Sequence, residues 1–249
     1  VRQQQDALSP LSADLRAAYR ATNPAGAILY TLETFGEDLV QTVRRMRAVD
    51  EADGRRTLTV RYEAAGGQWR TLQLVALRDY DDIRVGRIGR VSGAWPPPAR
   101  ELLLERSSLG VIRARVGEAL HVELPDGRTR RMRIAGVVHD ISQISSFFAN
   151  TTYGYITLDT LEWLGEPRAF NQLYLTVADR PSDKAHVETV ARQVRNKVEK
   201  AGYTVTFLQV PDPYEHWSED VGNAMFLLLT VLGLLSLLLS GFLVVNTIS

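Results

Sequence analysis

The sequence predicts an α+β fold: ferredoxin-like, made of split β-α-β units, interrupted by a β-rich inserted subdomain and followed by a C-terminal transmembrane helix. Three observations predict it. Strand-period and helix-period segments run β-α-β-β at the start of the chain and β-α-β at its end. A β-rich stretch, opened by Gly93-Ala94-Trp95-Pro96-Pro97-Pro98, separates them. From Val221 to Ser249 there is no charged residue; every charged residue of the chain lies at or before Asp220. The parts are placed at 1–92 and 151–220 for the two halves of the α+β subdomain, 93–150 for the insertion and 221–249 for the membrane helix.

Ser12 to Arg20 is expected as a polar helix, ended by Asn23-Pro24. Ala27 to Leu32 is a short apolar strand. Phe35, Leu39, Val40, Val43 and Met46 recur at helical spacing and predict a helix over Glu37 to Arg47. Asp53-Gly54 is expected to break the chain. Arg56 to Glu63 alternates at strand period, Ala65-Gly66-Gly67 turns, and Trp69 to Leu77 returns as the second arm of a hairpin. A short helix is expected from Ala99 to Ser107. Ala119 to Leu124 and Thr129 to Val138 flank Pro125-Asp126-Gly127, a hairpin turn in which glycine supplies positive φ. Val138 to Asn150 reads as an exposed turn region and Tyr153 to Thr157 as a strand. Asp159 caps a short helix that Gly165 stops. Gln172 to Ala178 is a strand. Pro181-Ser182-Asp183 opens a helix to Lys200 with the buried stripe Val187, Val190, Ala191, Val194 and Val198, ended by Gly202. Tyr203 to Gln209 is the last strand, and Pro211 to Asp220 a polar linker.

Met225 to Val245 reads MFLLLTVLGLLSLLLSGFLVV. About 20 such residues cross a bilayer core of about 30 Å as a helix, so the lipid bilayer is an expected partner. Thr230, Gly233, Ser236 and Ser240 recur at spacings of three and four and predict a small-residue face for packing against other membrane helices. Trp217 fits an interfacial anchor, and Glu219 and Asp220 suit the positive end of the helix that follows.

Lys plus Arg equals Asp plus Glu, 29 of each, so no basic surplus argues for nucleic acid. The chain has no cysteine, which excludes disulfides, thiolate metal sites and cysteine nucleophiles. It contains no P-loop, GxSxG, HExxH or dinucleotide fingerprint, and no cofactor or metal is expected. The histidines His121, His139, His186 and His216 are scattered, and Asp79-Tyr80-Asp81-Asp82 lacks the glycine and distal glutamate of a calcium loop. The remaining candidates are binding features. Phe147 and Phe148 sit in an expected loop and are the candidate contacts for a partner or an apolar cargo. Arg128, Arg130, Arg131 and Arg133 form a basic strand edge, either a solvated face or a dock for an acidic partner or lipid headgroup.

Several segments together carry a family likeness. They are Glu105-Arg106-Ser107-Ser108, Val116-Gly117, the strand pair around Pro125-Asp126-Gly127 ending at Gly136-Val137-Val138-His139-Asp140, Tyr153-Gly154-Tyr155-Ile156-Thr157, Leu161-Glu162-Trp163-Leu164-Gly165, and Leu243-Val244-Val245-Asn246-Thr247-Ile248-Ser249. From about residue 20 onward, the chain resembles the extracytoplasmic (periplasmic core) domain and second transmembrane helix of MacB/FtsX-type ABC transporter permeases. That resemblance implies a porter-like α+β part interrupted by a β-rich subdomain, lying between the first two of four membrane helices. It implies a plasma-membrane protein with most of this chain extracytoplasmic, a second permease copy, identical or not, and a cytoplasmic ABC ATPase subunit. It implies mechanotransmission, with peptide, lipid or lipoprotein as cargo. Val1 would then follow the first membrane helix. The family's residues are structural, so no catalytic residue carries over and the chain is not expected to be an enzyme. Two rivals stand beside this: a membrane-anchored scaffold or sensor that docks and regulates a cell-wall hydrolase, and a tethered enzyme using His139 and Asp140.

Overall fold

A computed structural model describes residues 10–64, 66–143, 145–146, 151–211, 227–237 and 239–240. In chain order the elements are α1 (Pro10–Ala21), β1 (Ala27–Phe35), α2 (Glu37–Arg44), β2 (Val49–Ala64), β3 (Gln68–Leu77), β4 (Gly89–Gly93), β5 (Glu101–Glu105), α3 (Arg106–Ile112), β6 (Ala119–Glu123), β7 (Thr129–His139), β8 (Thr152–Thr157), α4 (Leu158–Trp163), β9 (Phe170–Val177), α5 (Lys184–Lys200) and β10 (Val205–Gln209). These strands and helices lie in one unit, Val1–Tyr214; Glu215–Ser249 forms another. The fold is a mixed α+β fold.

β10, β1, β9 and the first half of β2 form an antiparallel sheet in that order. It is the order of two interleaved units, β1-α2-β2 and β9-α5-β10. Alternation explains the layering: Ala27, Leu29 and Thr31 of β1 are buried while Leu32 is exposed. Leu39, Val40 and Val43 of α2 and the whole expected stripe of α5 join the same core. The Asp183 side chain caps α5 by accepting from the His186 N–H at 3.2 Å, and Gly202 ends it at φ +94°. Phe35 meets the rings of Phe170 and Tyr203.

Past Gly54, β2 changes partners. Its second half pairs with β3, β3 runs parallel to β8, β8 antiparallel to β5, β5 parallel to β7 and β7 antiparallel to β6. β6 returns to β2 through Arg61↔Glu123 and Tyr62↔Val122. Six strands thereby close a ring, which leaves no free edge between them, and β4 adds to β7 outside it. The apolar lining of the ring is continuous with the core of the sheet through β2. A second cluster covers part of the ring's outer surface: Val75, Leu77, Tyr80, Ile88, Leu103, Val138, Tyr153 and Tyr155.

Four expectations are corrected. The helix over Ala99 to Ser107 is instead strand β5 followed by α3. Leu102 and Leu104 face the ring lining and Leu103 the outer cluster, all fully buried, and a strand apolar on both faces has no period to tell it from a helix. Asp53-Gly54 does not break the chain, because β2 runs through it. Glycine is required there for another reason: a Cβ on Gly54 would lie 2.4 Å from the Phe170 ring. The cap of α4 is Thr157, whose side chain accepts from the Thr160 N–H, and Asp159 lies in the first turn. The 138–150 stretch is rooted inside, with Asp140 and Ser146 buried.

Residues 227–237 and 239–240 are helical and exposed. Among the described residues no helix is long and apolar enough to cross a membrane. The rest of the apolar segment, and Trp217, Glu219 and Asp220, lie outside the described residues.

Candidate functional site

The chain enters the sheet at Ala27 and leaves it at Gln209, and these ends lie side by side, with Ile28 paired to Gln209. Beside them stands a linkage that ties α1 to the place where β2 changes partners. Arg55, directly after Gly54, is almost completely buried. One guanidinium nitrogen donates to the carbonyls of Val85 (2.7 Å) and Gly86 (2.6 Å), and the group lies 4.2 Å from the centre of the Tyr174 ring. Asp53 holds the same loop from the other side, accepting from the N–H groups of Arg84 (2.7 Å) and Val85 (2.9 Å). Burial raises the Asp53 pKa above the usual carboxylate value, opposed by those two N–H donors.

The loop then grips the end of α1. Gly86 N–H donates to Asn23 O and Arg87 N–H to Thr22 O, both at 2.7 Å, while the Asn23 side chain donates to Arg84 O at 2.8 Å. Gly86 is at φ +64°, and a Cβ there would meet the Arg55 guanidinium at 2.9 Å. A cavity of about 220 Å³ opens beside this grip, between Tyr19, Asn23, Thr176, Pro181, Val187 and Pro211. Displacing α1 must therefore strain or break bonds that reach β2, the strand shared by sheet and ring. Sequence reasoning missed Asp53 and Arg55 as a pair. The available signal was an arginine next to glycine inside an otherwise alternating strand.

The expected contact residues Phe147 and Phe148 lie outside the described residues, but the roots of their loop are fixed. Asp140 accepts from Ser142 N–H (3.0 Å) and from the buried Tyr155 hydroxyl (2.6 Å). Burial and the Asp140 charge push Tyr155 well above the ordinary tyrosine pKa, so it remains a donor. Ser146 hydrogen-bonds Ser108 (2.8 Å), its N–H donates to Ser107 Oγ (3.0 Å), and Ser108 Oγ accepts from Tyr153 N–H (2.9 Å). Thr152 donates to Thr71 O at 2.8 Å.

His139 and Asp140 do not act on each other. The His139 ring contacts Glu105 (3.2 Å) and Arg106 (3.4 Å), while Asp140, its neighbour, turns toward Tyr155. Among the described residues no group of three or more histidine and carboxylate side chains is placed to hold a metal ion. Of the arginine strand, Arg131 and Arg133 are exposed, whereas Arg130 packs against Trp163 and Arg128 donates to Leu164 O. Thr230, Gly233 and Ser236 in the helical residues 227–237 and Ser240 in 239–240 are all exposed, and a Cβ on Gly233 would meet nothing within 4 Å.

No family model and no curated protein matches the chain. Solved structures do. The periplasmic region of MacB from Actinobacillus actinomycetemcomitans is similar at TM-score 0.47 and 10% identity, over 85% of this chain and 97% of that one. The extracellular domain of the noncanonic ABC-type transporter YknZ from Gram-positive bacteria is similar at TM-score 0.47 and 10% identity, over 74% of this chain and 98% of that one.

Proposed function

We propose that this chain is the extracytoplasmic domain of an ABC transporter permease, carried on a transmembrane helix that includes Met225 to Val245, and that it turns cytoplasmic ATP hydrolysis into movement outside the membrane. The partners in this reading are a cytoplasmic ABC ATPase subunit, a second permease copy and the lipid bilayer. Peptide, lipid or lipoprotein is the cargo class. The observation that carries the reading is the pairing of Ile28 with Gln209. A domain inserted between two membrane helices has to receive and return the chain at one end, and here entry and exit are adjacent strands. The Asp53–Arg55 linkage adds a path for force, since it joins the segment entering the sheet to the strand that runs on into the ring. The porter-like part in this reading is the interleaved sheet with α2 and α5, and the β-rich subdomain is centred on 93–150. Phe147 and Phe148 serve as partner or cargo contacts, and Thr230, Gly233, Ser236 and Ser240 as the face that meets neighbouring membrane helices.

The cysteine-free sequence allows a direct test. Ser92 is exposed on β4. In the full-length parent protein, Ser92→Cys should react with a membrane-impermeant maleimide in cells whose outer barrier, if any, is permeabilised. A stoichiometric nucleotide-binding subunit should copurify in mild detergent. Labelling only after the plasma membrane is lysed would overturn the location. A static scaffold or sensor docking a cell-wall hydrolase is the second reading, favoured by the fixed roots of the 140–152 loop. Unchanged cysteine accessibility with and without ATP would favour it.

A further inference from the structure

At the far end of the ring the outer surface holds a shallow cavity of about 270 Å³, lined by Arg100, Glu101, Gly117, Ala119, Arg131 and Arg133. Three arginines and one glutamate line it, and Glu101 pairs with Arg133 at 3.7 Å. The floor is small: glycine at 117, held at φ +99°, and alanine at 119. The rim is pre-set. Arg133 donates to Gly117 O at 3.4 Å, and Trp163 carries Arg100 at 5.6 Å with Arg130 beside it at 5.7 Å. The backbone of Arg131 is held in the β6–β7 ladder opposite His121, while its side chain has no hydrogen-bond or ion-pair partner among the described residues, so its guanidinium donors are unspent.

We propose that this cavity docks an acidic polypeptide segment of a partner protein, its carboxylates taken by Arg131, Arg133 and Arg100. Planar guanidinium forks match carboxylates two bonds at a time, and the surplus positive charge supplies attraction at long range. The location selects the partner. Ala27 and Ala52 both sit level with Leu175, and the ring residues level with the cavity pair near Arg61 and Tyr62. Nine or ten strand residues separate the two levels, about 30 Å along β2. A lipid surface at the end where the chain enters and leaves is out of reach, and the choice of a protein over a lipid rests on the proposed membrane orientation.

The test uses the full chain in a neutral detergent and two labelled octapeptides, alternating Asp-Gly and alternating Asn-Gly, followed by fluorescence anisotropy. The Asp peptide should bind and the Asn peptide should not, with affinity falling as salt rises. Arg131→Glu and Arg133→Glu should each weaken binding by at least about fivefold. Ala119→Leu, which fills the floor without changing charge, should weaken it as well. Arg192→Glu, on exposed α5, should leave it intact. The proposal is overturned if the Arg131 and Arg133 variants bind like the parent while retaining its far-ultraviolet circular dichroism. It is also overturned if inorganic phosphate or phosphatidylglycerol vesicles displace the peptide at lower concentration than free peptide does. Neither result depends on the ATPase or on labelling at Ser92, so the two readings fail separately.

Discussion

The four-stranded sheet and the six-stranded ring share β2, and a strand of each, β1 in the sheet and β5 in the ring, buries its faces differently. In the sheet, β1 alternates, with Leu29 fully buried and Leu32 70% exposed, and β10 leaves Phe207 58% exposed. In the ring, β5 is buried on both sides. One-sided strands tolerate change on their outer face; two-sided strands have no outer face to spare. The contrast predicts that Leu103→Ala destabilises the chain by about 2–5 kcal/mol, as a cavity in a packed core does. Leu32→Ala, in an equally strand-like position, should change stability by no more than about 0.5 kcal/mol. Chemical denaturation of the two variants side by side checks this, and equal, small effects would break the comparison.

The boundary between the two regions is the next test. Gly54 leaves room for the Phe170 ring where β2 passes from β9 to β3. Gly54→Val should cost about 1–3 kcal/mol through overpacking, and adding Phe170→Leu should recover part of it because the clash is with a side chain. No recovery in the double variant would place the cost in the backbone instead.

Legibility followed the polar face rather than the region. Helices α2 and α5 and the hairpins β2–β3 and β6–β7 could be read because polar residues interrupt each apolar stripe, and β1 was read as a short apolar run. The 3.6-residue stripe of α5, Val187 to Val198, is buried residue for residue. β5 could not be read, since Leu102-Leu103-Leu104 gives the same pattern as a buried helix. β4, with every residue exposed, carried no apolar signal at all. The closure of β6 onto β2 rests on two residue pairs about 60 positions apart, which no local pattern encodes. The Asp53–Arg55 linkage was hidden by a local rule that was sound in itself: Asp-Gly marks turns, but here the pair serves a strand that must pass close to an aromatic ring.

Arg55 gives the third test. It is fully buried, bonded to two carbonyls rather than to a carboxylate, and its Nε has no partner. Arg55→Met removes two hydrogen bonds, the contact with the Tyr174 ring and the cation that offsets the charge of half-buried Asp53, so global stability should fall by about 1–3 kcal/mol. The local change should be plain. With the Val85 and Gly86 carbonyls released, the Gly86 and Arg87 amides that reach Asn23 and Thr22 should exchange with solvent roughly tenfold faster, the loss of about 1–2 kcal/mol of local protection. Hydrogen exchange read by mass spectrometry over residues 78–88 resolves this, while peptides from β5 to β7 serve as the unperturbed reference. Acceleration spread evenly over the ring would show that the loop is not a separate latch.

The smallest effect lies at the open edge of the sheet. Glu33 accepts from the Thr204 N–H at 2.7 Å and from its hydroxyl at 3.0 Å, and Leu32 N–H donates back to Thr204 O at 3.0 Å. The Thr204 N–H is the main reason that the Glu33 carboxyl titrates below its ordinary value of 4.5. A carboxylate with a lowered folded pKa contributes fully above the unfolded value, and its contribution is lost as the pH falls through the folded one. Acidification below the ordinary glutamate pKa should accordingly loosen the β1–β10 edge first, seen as a titrating shift of the Thr204 amide in NMR. Glu33→Gln keeps an acceptor but removes the charge, so the Thr204 shift should become independent of pH. The amides of β3, a ring strand with no carboxylate of its own, should not follow it in either form, because closure leaves the ring without the free edge on which this contact depends.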